Sequence, residues 1–334
     1  MGQDNDFYRI IKECSCELGI KLNMLSYDYI YELKKGNMVR HIIDSKFDLN
    51  SEAAAAIACD KYATYEVLKN NHVPVIEHMQ IFNPKTRLDY VPDGGNDNLV
   101  REYLNKYKTL VVKPNDGREG IGVALCNNID EVKTSVNDIL SKKNDCVICP
   151  YYDIETEYRS FYLDDEICLI YGKEKPNVIG DGTSNIKKLV SKLNLPKNNI
   201  ILTNLSKLDM NYVPKNGERI ELSWKFNLSG GATPHVLDKG ILYDQIEELA
   251  KKAGKTLNLT FATIDIIRTK NNELYVLEIN SSIGSKLFIR NADNGYNIMK
   301  EVFKKAIIKM FKEWILFTLF LNINTYRSSS NRTH

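Results

Sequence analysis

The part of the chain most able to do chemistry is a pair of strand-like segments, residues 263–267 and 275–280, which contain two carboxylates and an amide. Both segments are rich in apolar and β-branched residues, a composition that favours strands. Between them, Asn271 and Asn272 suit a two-residue hairpin turn, because Asn tolerates the positive φ angles that such a turn requires. The pattern predicts an antiparallel hairpin centred on these two asparagines.

That turn pairs Asp265 with Glu278, and Asn280 shares their face because side chains alternate along a strand. Two carboxylates placed opposite each other repel, which destabilises the pairing unless something compensates. A divalent cation would compensate, since carboxylate and amide oxygens suit Mg²⁺, with phosphates and water completing its shell. The alternative is an exposed polar face on which a lysine neutralises the two carboxylates.

A second candidate site is the segment 113–122, in which a lysine precedes three glycines. Lys113 ends an apolar strand, and Gly117, Gly120 and Gly122 follow it. Such a lysine can reach phosphate oxygens while the backbone N–H groups of a flexible loop close over them. The spacing fits neither a Walker A loop nor a dinucleotide-binding fingerprint, and a strand rather than a helix follows. The alternative interpretation is an ordinary hairpin loop.

Two cations, Arg159 and Lys173, lie on consecutive predicted strands and could face one site. There they could neutralise a phosphoryl group in transfer, although isolated charges on strands are usually solvated. No histidine belongs to this group of residues, so the sequence assigns no general base. His235 follows a glycine-containing loop and is interpreted as a surface histidine.

The composition narrows the classes of function. The 334 residues carry a net charge of +2 without a basic stripe, so we expect neither a nucleic-acid partner nor a membrane partner. Seven cysteines, an odd number, indicate reduced thiols and a cytoplasmic protein. Cys146 and Cys149 form a C-x-x-C motif, interpreted as structural because no second pair or histidine completes a zinc site. The apolar run 314–321 is too short to span a bilayer.

Periodicity and turn residues predict a mixture of helices and strands. The predicted helices cover residues 6–18, 52–59, 59–70, 130–141, 185–193, 243–257 and 297–319. The predicted strands outside the hairpin cover residues 21–26, 37–43, 109–113, 122–126, 146–149, 158–163 and 167–171. These helices and strands predict an α+β protein.

Taken together, these segments resemble the ATP-grasp superfamily, especially the ligase domain of cyanophycin synthetase and its stand-alone relatives. The resemblance runs from about residue 55 to residue 310, and it depends on the order of several motifs rather than on any one of them. These motifs are Ala58-Cys59-Asp60-Lys61, Val111-Val112-Lys113-Pro114 with its glycines, Glu157-Tyr158-Arg159, Lys173, Val178-Ile179-Gly180-Asp181-Gly182, Asn227-Leu228-Ser229-Gly230-Gly231, Asp265, and Glu278-Ile279-Asn280-Ser281-Ser282.

The resemblance implies an ATP-grasp fold, in which two α/β subdomains with antiparallel sheets grip ATP. The implied division is a small N-terminal region at 1–59, a lid and central subdomain at 60–150, a C-terminal subdomain with the metal site at 151–321, and a disordered tail at 322–334. The chain departs from the family pattern at Pro150, where an acidic residue often stands, at Lys173, which replaces an arginine, and at Ile283, which replaces a proline.

The resemblance also implies roles for individual residues, with ATP and two Mg²⁺ ions as cofactors. The nucleotide-binding residues would be Lys113, Gly117, Gly120 and Gly122 at the phosphates, Cys149, Tyr151 and Tyr152 at the adenine, and Glu155 or Glu157 at the ribose. The metal ligands would be Asp265, Glu278 and Asn280. The catalytic residues would be Arg159 and Lys173 at the phosphoryl group and Asn227 on the acceptor side.

The implied reaction joins a carboxylate to an amine through an acyl phosphate, releasing ADP and phosphate. The expected partners are small molecules, by default amino acids or short peptides, and a homodimer is left open. Two other functions stay open at this point: a kinase that phosphorylates a small molecule, and a regulator that binds ATP without catalysis.

Overall fold

A computed structural model of the chain describes residues 5–83, 97–117, 120–142, 145–193, 195–196 and 199–312. Within these ranges the helices are α1 (Asp6–Glu17), α2 (Glu52–Cys59), α3 (Lys61–Asn70), α4 (Asp97–Tyr107), α5 (Ile129–Leu140), α6 (Ile186–Ser191), α7 (Asn199–Leu205), α8 (Ile241–Thr256), α9 (Lys286–Asn291) and α10 (Gly295–Met310).

The strands in the same ranges form four sheets. They are β1 (Lys21–Leu25), β2 (Ile30–Lys35), β3 (Met38–Ile43), β4 (Lys46–Phe47), β5 (Met79–Phe82), β6 (Leu110–Pro114), β7 (Ala124–Cys126), β8 (Asp145–Pro150), β9 (Ile154–Leu163), β10 (Glu166–Glu174), β11 (Asn177–Ile179), β12 (Arg219–Glu221), β13 (Thr233–Val236), β14 (Phe261–Thr269) and β15 (Leu274–Asn280).

The structure divides the described residues into two compact units. One contains residues 5–50, 282–290 and 294–312, and the other contains residues 51–281 and 291–293. This division differs from the predicted boundaries at residues 59, 150 and 321, because the N-terminal residues complete their core with α10. Part of the predicted last helix and the predicted tail 322–334 fall beyond residue 312, outside the described residues.

In the first unit, α1 and α10 pack together beside the four-stranded antiparallel sheet β1–β4. Asn5 caps α1 by accepting a hydrogen bond from the N–H of Phe7 at 3.1 Å. The Phe7 ring contacts Phe303 of α10 edge to face, with the centroids 5.1 Å apart. Lys300 of α10 donates to Glu13 of α1 at 2.7 Å, so the two helices are joined by both apolar and charged contacts. The strands β2 and β4 of this sheet were not predicted from the sequence.

The larger unit is built on a five-stranded antiparallel sheet in the order β13-β10-β9-β14-β15. One face packs against α8, α2 and α3 and is almost entirely apolar. Two strands are longer than expected, since β9 begins at Ile154 and β10 continues to Glu174. These extensions position Glu157 and Lys173 within the sheet, on the face away from α8.

A second antiparallel sheet, β5-β8-β6-β7, belongs to the same unit. One face packs against α4 and α5. Side chains on its other face, including Val111 and Cys149, form an apolar cluster with Ile76 and with Ile267 of β14. The two sheets of this unit thus meet along a line of buried apolar side chains, which becomes the floor of the cleft described below.

The β14–β15 hairpin has the predicted pairs Thr263–Asn280 and Asp265–Glu278, although its turn differs from the prediction. Thr269 donates its N–H to the carbonyl of Glu273, which leaves three residues in the loop, with Asn272 at a φ of 65°. A shift of one residue follows between Asp265 and Ile266. The longer loop and this irregularity offset each other, which restores the expected pairing at the two carboxylates.

No helix among the described residues combines the length and the apolar character needed to cross a bilayer.

We expect Gly254→Ala to destabilise the larger unit, because α8 and β9 are in close contact there. An added Cβ would lie 2.7 Å from ring carbons of Tyr162, which is buried. Overpacking of this kind costs about 1–3 kcal/mol, which exceeds the roughly 1 kcal/mol that alanine gains over glycine in a helix. Denaturant unfolding should show the loss, whereas the control Gly284→Ala, whose Cβ meets nothing within 4 Å, should be nearly neutral.

Candidate functional site

The face of the five-stranded sheet that points away from α8 carries a row of charged side chains. Arg159 of β9 pairs with Asp265 of β14, and Asp265 pairs in turn with Glu278 of β15. On the other side, Lys173 of β10 pairs with Glu157 of β9. Because all five positions are in register and side chains alternate along each strand, the five side chains share one face. Arg159 and Lys173 therefore lie on the same face of the sheet, as predicted.

The centre of this row is a buried ion-pair network. Arg159 donates through Nε and Nη2 to the two oxygens of Asp265, at 2.7 and 2.5 Å. Lys173 donates to Glu157 and lies 3.4 Å from Asp265. Burial would raise the pKa of Asp265, whose side chain is 1% exposed, but the two cations outweigh burial and lower it to about 2. Asp265 is therefore held as a carboxylate between two cations.

The network is balanced in charge. Burial raises the pKa of Glu157, while the ammonium group of Lys173 opposes that rise. Two cations and two carboxylates thus neutralise one another inside the protein. Of the two opposed carboxylates of the hairpin, Asp265 is compensated by Arg159 and Lys173, while Glu278 has Lys61 nearby.

Glu278 and Asn280 lie at the open end of the row. The Glu278 side chain is 27% exposed, and Lys61 Nζ lies 3.6 Å from one of its oxygens. Asn280 Nδ2 lies 3.4 Å from the other carboxylate oxygen. No group of three His, Cys, Asp or Glu side chains able to hold a metal ion occurs in the described part of the chain. The predicted set instead combines two carboxylates with an amide.

The oxygen atoms of that set fit the chemistry of Mg²⁺, which prefers hard oxygen ligands and keeps several waters. Glu278 and Asn280 are adjacent and accessible, and Arg159 fixes the orientation of Asp265 beside them. The placement of Asp265, Glu278 and Asn280 as metal ligands remains a prediction.

A cleft opens beside this row, and Glu157 and Glu278 of the row line it. Its lining divides into an apolar part and a charged part. The apolar part contains Ile76, Val111, Ile121, Val123, Cys149, Pro150, Tyr151, Tyr152, Ile154, Trp224, Phe226, Ile267 and Leu277. The charged and polar part contains Lys61, Lys113, Glu157, Lys225, Asn227 and Glu278, with Gly117 and Gly120. A ligand with a flat apolar group at one end and negative charges at the other would match both parts.

Lys113 is the buried cation at the charged end of the cleft. Within the described residues its Nζ makes no hydrogen bond or ion pair, in contrast to Lys61 beside it. Lys61 donates to the carbonyl of Gly117 at 2.8 Å, and burial lowers its pKa while Glu278 opposes that effect. A buried ammonium group without a carboxylate partner is costly, and an anionic ligand in the cleft would supply the missing partner.

The glycine loop, residues 115–123, is held from both sides, and its residues 118 and 119 lie outside the described ranges. Lys61 binds the carbonyls of Asn115 and Gly117, while Lys225 binds those of Gly120 and Val123, each at 3.0 Å. Gly120 has a φ of +70°, and a Cβ there would lie 2.6 Å from the side-chain oxygen of Asn227. Only glycine satisfies both the backbone angle and this close approach.

Most of the predicted nucleotide-binding residues line the cleft. Those that do are Lys113, Gly117, Gly120, Cys149, Tyr151, Tyr152 and Glu157, together with Asn227 and Glu278 from the other predicted sets. Gly122 and Glu155 do not line it. Glu155 falls at an irregularity in the β9–β14 pairing and forms an ion pair with Arg268 at 3.4 Å, so the cleft contains Glu157 rather than Glu155.

Two other sequence interpretations agree with the structure. His235 is exposed and lies 3.0 Å from Glu174, away from the charged row. Cys146 and Cys149 are both buried on β8, but Cys146 packs with the α4–α5 side and Cys149 with the cleft side. Their side chains point to opposite faces of the sheet, so they cannot bind one metal ion together.

Comparison with known proteins agrees with this architecture. Residues 216–306 match the RimK-like ATP-grasp domain model. The glutathione biosynthesis bifunctional protein GshAB of Clostridium perfringens is 24% identical over 307 residues, covering 83% of this chain and 38% of the relative. Cyanophycin synthetase of Trichormus variabilis is 24% identical over 305 residues, covering 84% and 32%. The chain thus spans about a third of the length of these curated relatives.

Solved structures show the same fold. A bifunctional glutathione synthetase from Pasteurella multocida aligns with a TM-score of 0.54 and 17% identity, over 90% of this chain and 44% of that one. D-alanine–D-alanine ligase from Bacillus anthracis, complexed with ATP, aligns with a TM-score of 0.51 and 15% identity, over 79% and 71%. The predicted resemblance and the predicted ATP-grasp fold are confirmed.

We expect Asp265→Asn to destabilise the protein strongly, even without nucleotide or metal. The substitution keeps the shape but leaves Arg159 and Lys173 buried with an excess positive charge, which typically costs about 3–5 kcal/mol. Denaturant unfolding in EDTA would measure the loss. Glu278→Gln is the matched control, because Glu278 is partly exposed and has only a 3.6 Å ion pair. It should cost about 1 kcal/mol or less. Equal losses for the two variants would show that the buried network does not hold the sheet.

Proposed function

We propose that the protein is an ATP-dependent ligase that joins a carboxylate to an amine through an acyl phosphate, releasing ADP and phosphate. The observation that carries this proposal is the cleft, whose lining combines apolar side chains with lysines, among them the buried Lys113, which has no ion-pair partner among the described residues. It lies beside a row of carboxylates and cations on a sheet with the ATP-grasp arrangement. The relatives named above are, by name, synthetases and ligases.

The two parts of the cleft suit the two parts of ATP. The adenine ring would occupy the apolar part, near Cys149 of β8, Tyr152 just after β8 and Leu277 of β15. The phosphates would lie at Lys61 and Lys113, under the glycine loop acting as lid. Glu157, which also lines the cleft, would contact the ribose. Bound ATP would provide the anionic partner that the ammonium group of Lys113 lacks among the described residues.

Asp265, Glu278 and Asn280 would hold Mg²⁺, one ion or two. Bound there, the ion would neutralise phosphate oxygens during transfer. Arg159 would help to neutralise the phosphoryl group during transfer. Its Nε and Nη2 are fixed on Asp265, while its Nη1 makes no hydrogen bond within the described residues. The guanidinium group is therefore held in one orientation, and its Nη1 can donate a hydrogen bond to a phosphoryl oxygen.

The protein forms no covalent bond with the substrates in this reaction. A carboxylate oxygen of the substrate attacks the terminal phosphorus, and the bond from that phosphorus to ADP breaks. The amine nitrogen then attacks the acyl carbon, phosphate leaves, and the amine loses a proton. Both steps depend on positioning and charge neutralisation, and closure of the glycine loop would exclude the water that competes with the amine. Lys173 and Asn227 would serve the acyl phosphate and the acceptor.

We propose small molecules as the substrates, one supplying the carboxylate and one the amine, such as amino acids or short peptides. A reducing, cytoplasmic setting agrees with the seven cysteines, all of which are free thiols. A homodimer belongs to the proposal as the arrangement common in the superfamily.

We expect Lys113→Met to weaken ATP binding by about 10- to 100-fold, since a charge-assisted contact to phosphate is lost. Trp224 lines the cleft, so the change in its fluorescence on titration with Mg²⁺–ATP gives a direct measurement. Lys239→Met, at an exposed lysine, should bind as the wild type does. Unchanged affinity for Lys113→Met would remove this lysine from the nucleotide site.

We expect wild-type protein to release ADP and phosphate when ATP and Mg²⁺ are supplied with pooled amino acids and dipeptides, and a condensed product should appear by mass spectrometry. Glu278→Gln should lower this rate at least about 100-fold while the protein stays folded, because a metal ligand is lost. A phosphorylated product without condensation would identify a kinase instead. ATP binding without turnover across the pools would favour a regulator.

A further inference from the structure

His78, in the link between α3 and β5, is a buried histidine with one unpaired ring nitrogen. The residue is 3% exposed, and its Nδ1 lies 3.0 Å from the carbonyl oxygen of Ile76. A carbonyl oxygen can only accept a hydrogen bond, so Nδ1 carries the proton and Nε2 is left as an acceptor. Nε2 is buried and has no hydrogen-bond partner in the part of the chain that the structure describes. Burying an acceptor without a partner is costly, which points to a donor that the imidazole meets in the working protein.

The strand pairing puts His78 on the same face of the second sheet as Lys113. Met79 of β5 is opposite Ile148 of β8, which is in turn opposite Val112 of β6. These three side chains pack toward α4 and α5. Because side chains alternate along a strand, the neighbouring residues His78 and Lys113 both point to the other face, on the side of the cleft.

The ammonium group of Lys113 is close enough to act on the imidazole. Burial, followed by the charge of Lys113, lowers the pKa of His78 well below its ordinary value, so the ring stays neutral. The same charge acts on the thiol of Cys149 and on Lys61. The imidazole also contacts Tyr65 of α3, with the ring centroids 5.9 Å apart. The neighbours of Lys113 on this face are thus a neutral imidazole, a thiol and a second cation, none of which cancels its charge.

Lys113 and His78 present a buried donor and a buried acceptor on one face of one sheet, and among the described residues neither has a partner. A carboxylate would fix a lysine more strongly, as Glu157 does for Lys173, but it would also neutralise the charge that a polyanion requires. A neutral imidazole nitrogen can fix the ammonium group and leave its charge available to a ligand.

We propose that His78 is a positioning residue for Lys113: its neutral Nε2 accepts a hydrogen bond from the ammonium group, whose remaining N–H groups are thereby directed toward the phosphates of the nucleotide. The two groups are not bonded in the structure, so the bond forms when the flexible lysine side chain rotates or when one water molecule bridges them. This inference rests on the proposed function and adds to it a residue that touches neither substrate nor metal. His78 acts only through Lys113, and the test measures that dependence.

The test compares two amide substitutions of His78 in binding Mg²⁺ and an ATP analogue whose β–γ bridge cannot be hydrolysed. The amide of His78→Gln can place an oxygen where Nε2 stands, whereas that of His78→Asn reaches only the position of Nδ1, from which it can still donate to Ile76. By calorimetry, we expect His78→Asn to bind the analogue about 10-fold more weakly and His78→Gln to stay within about threefold of wild type. In the Lys113→Met background, His78→Asn should change the affinity less than about twofold.

An equal loss for His78→Asn and His78→Gln would show a purely structural role and overturn the proposal. An undiminished effect of His78→Asn in the Lys113→Met background would do the same, as would no loss for His78→Asn in the wild-type background. Each of these outcomes leaves the proposed function standing. Failure of the wild type to bind the analogue would overturn the proposed function, and this inference with it.

Nitrogen NMR of histidine-labelled protein gives a second readout, which does not depend on the stability of His78→Asn. The chain has five histidines, and the signal of His78 is the one that is absent from His78→Gln. An unprotonated ring nitrogen that begins to accept a hydrogen bond shifts to a lower nitrogen frequency. We expect the analogue to produce this shift at Nε2 of His78 in wild type but not in Lys113→Met. No shift in wild type saturated with the analogue, or the same shift in both proteins, would overturn the proposal.

Discussion

The bidentate bond between Arg159 and Asp265 is the interaction on which the rest of the site depends. It joins the central strands β9 and β14 at a position where both side chains are largely withdrawn from water. A buried ion pair of this kind adds little net stability, because desolvation offsets most of the attraction. What it provides is orientation: each charged group is held in one geometry before any ligand arrives. Lys173 and Glu157 extend the same arrangement to β10, and Glu278 begins the accessible end on β15.

Charge is distributed unequally between the sheet and the cleft. On the sheet, two cations face two carboxylates, and the network is neutral. In the cleft, Lys113 and Lys225 have no carboxylate partner among the described residues, so positive charge accumulates where a polyanion would bind. The sheet thus carries a neutral ion-pair network, whereas the cleft beside it carries lysines without carboxylate partners. An anionic ligand that neutralises these lysines stabilises the folded state by the free energy of its binding.

The charged row could be predicted from sequence because each of its members lies on a strongly patterned strand. The hairpin shows the limit of this reasoning, since the predicted pairing of Asp265 with Glu278 was correct although the assumed turn was wrong. Lys225 and the glycine-loop contacts of Lys61 could not be predicted, because their partners are backbone carbonyls, which carry no signal in side-chain sequence. Glu155 and Glu157 were alternative predictions for the ribose contact; Glu155 falls at a local irregularity of β9, and of the two only Glu157 lines the cleft.

The first unit has a consequence for how the protein is made. Its helix α1 leaves the ribosome before the larger unit, and the helix that completes its core, α10, is separated from α1 by the whole of that unit. The continuous stretch 51–281 can form its sheets while synthesis is still in progress. The strands β1–β4 must wait, with one apolar face uncovered, until α10 has been synthesised. During that interval the uncovered face of this small sheet is exposed to chaperones and to aggregation.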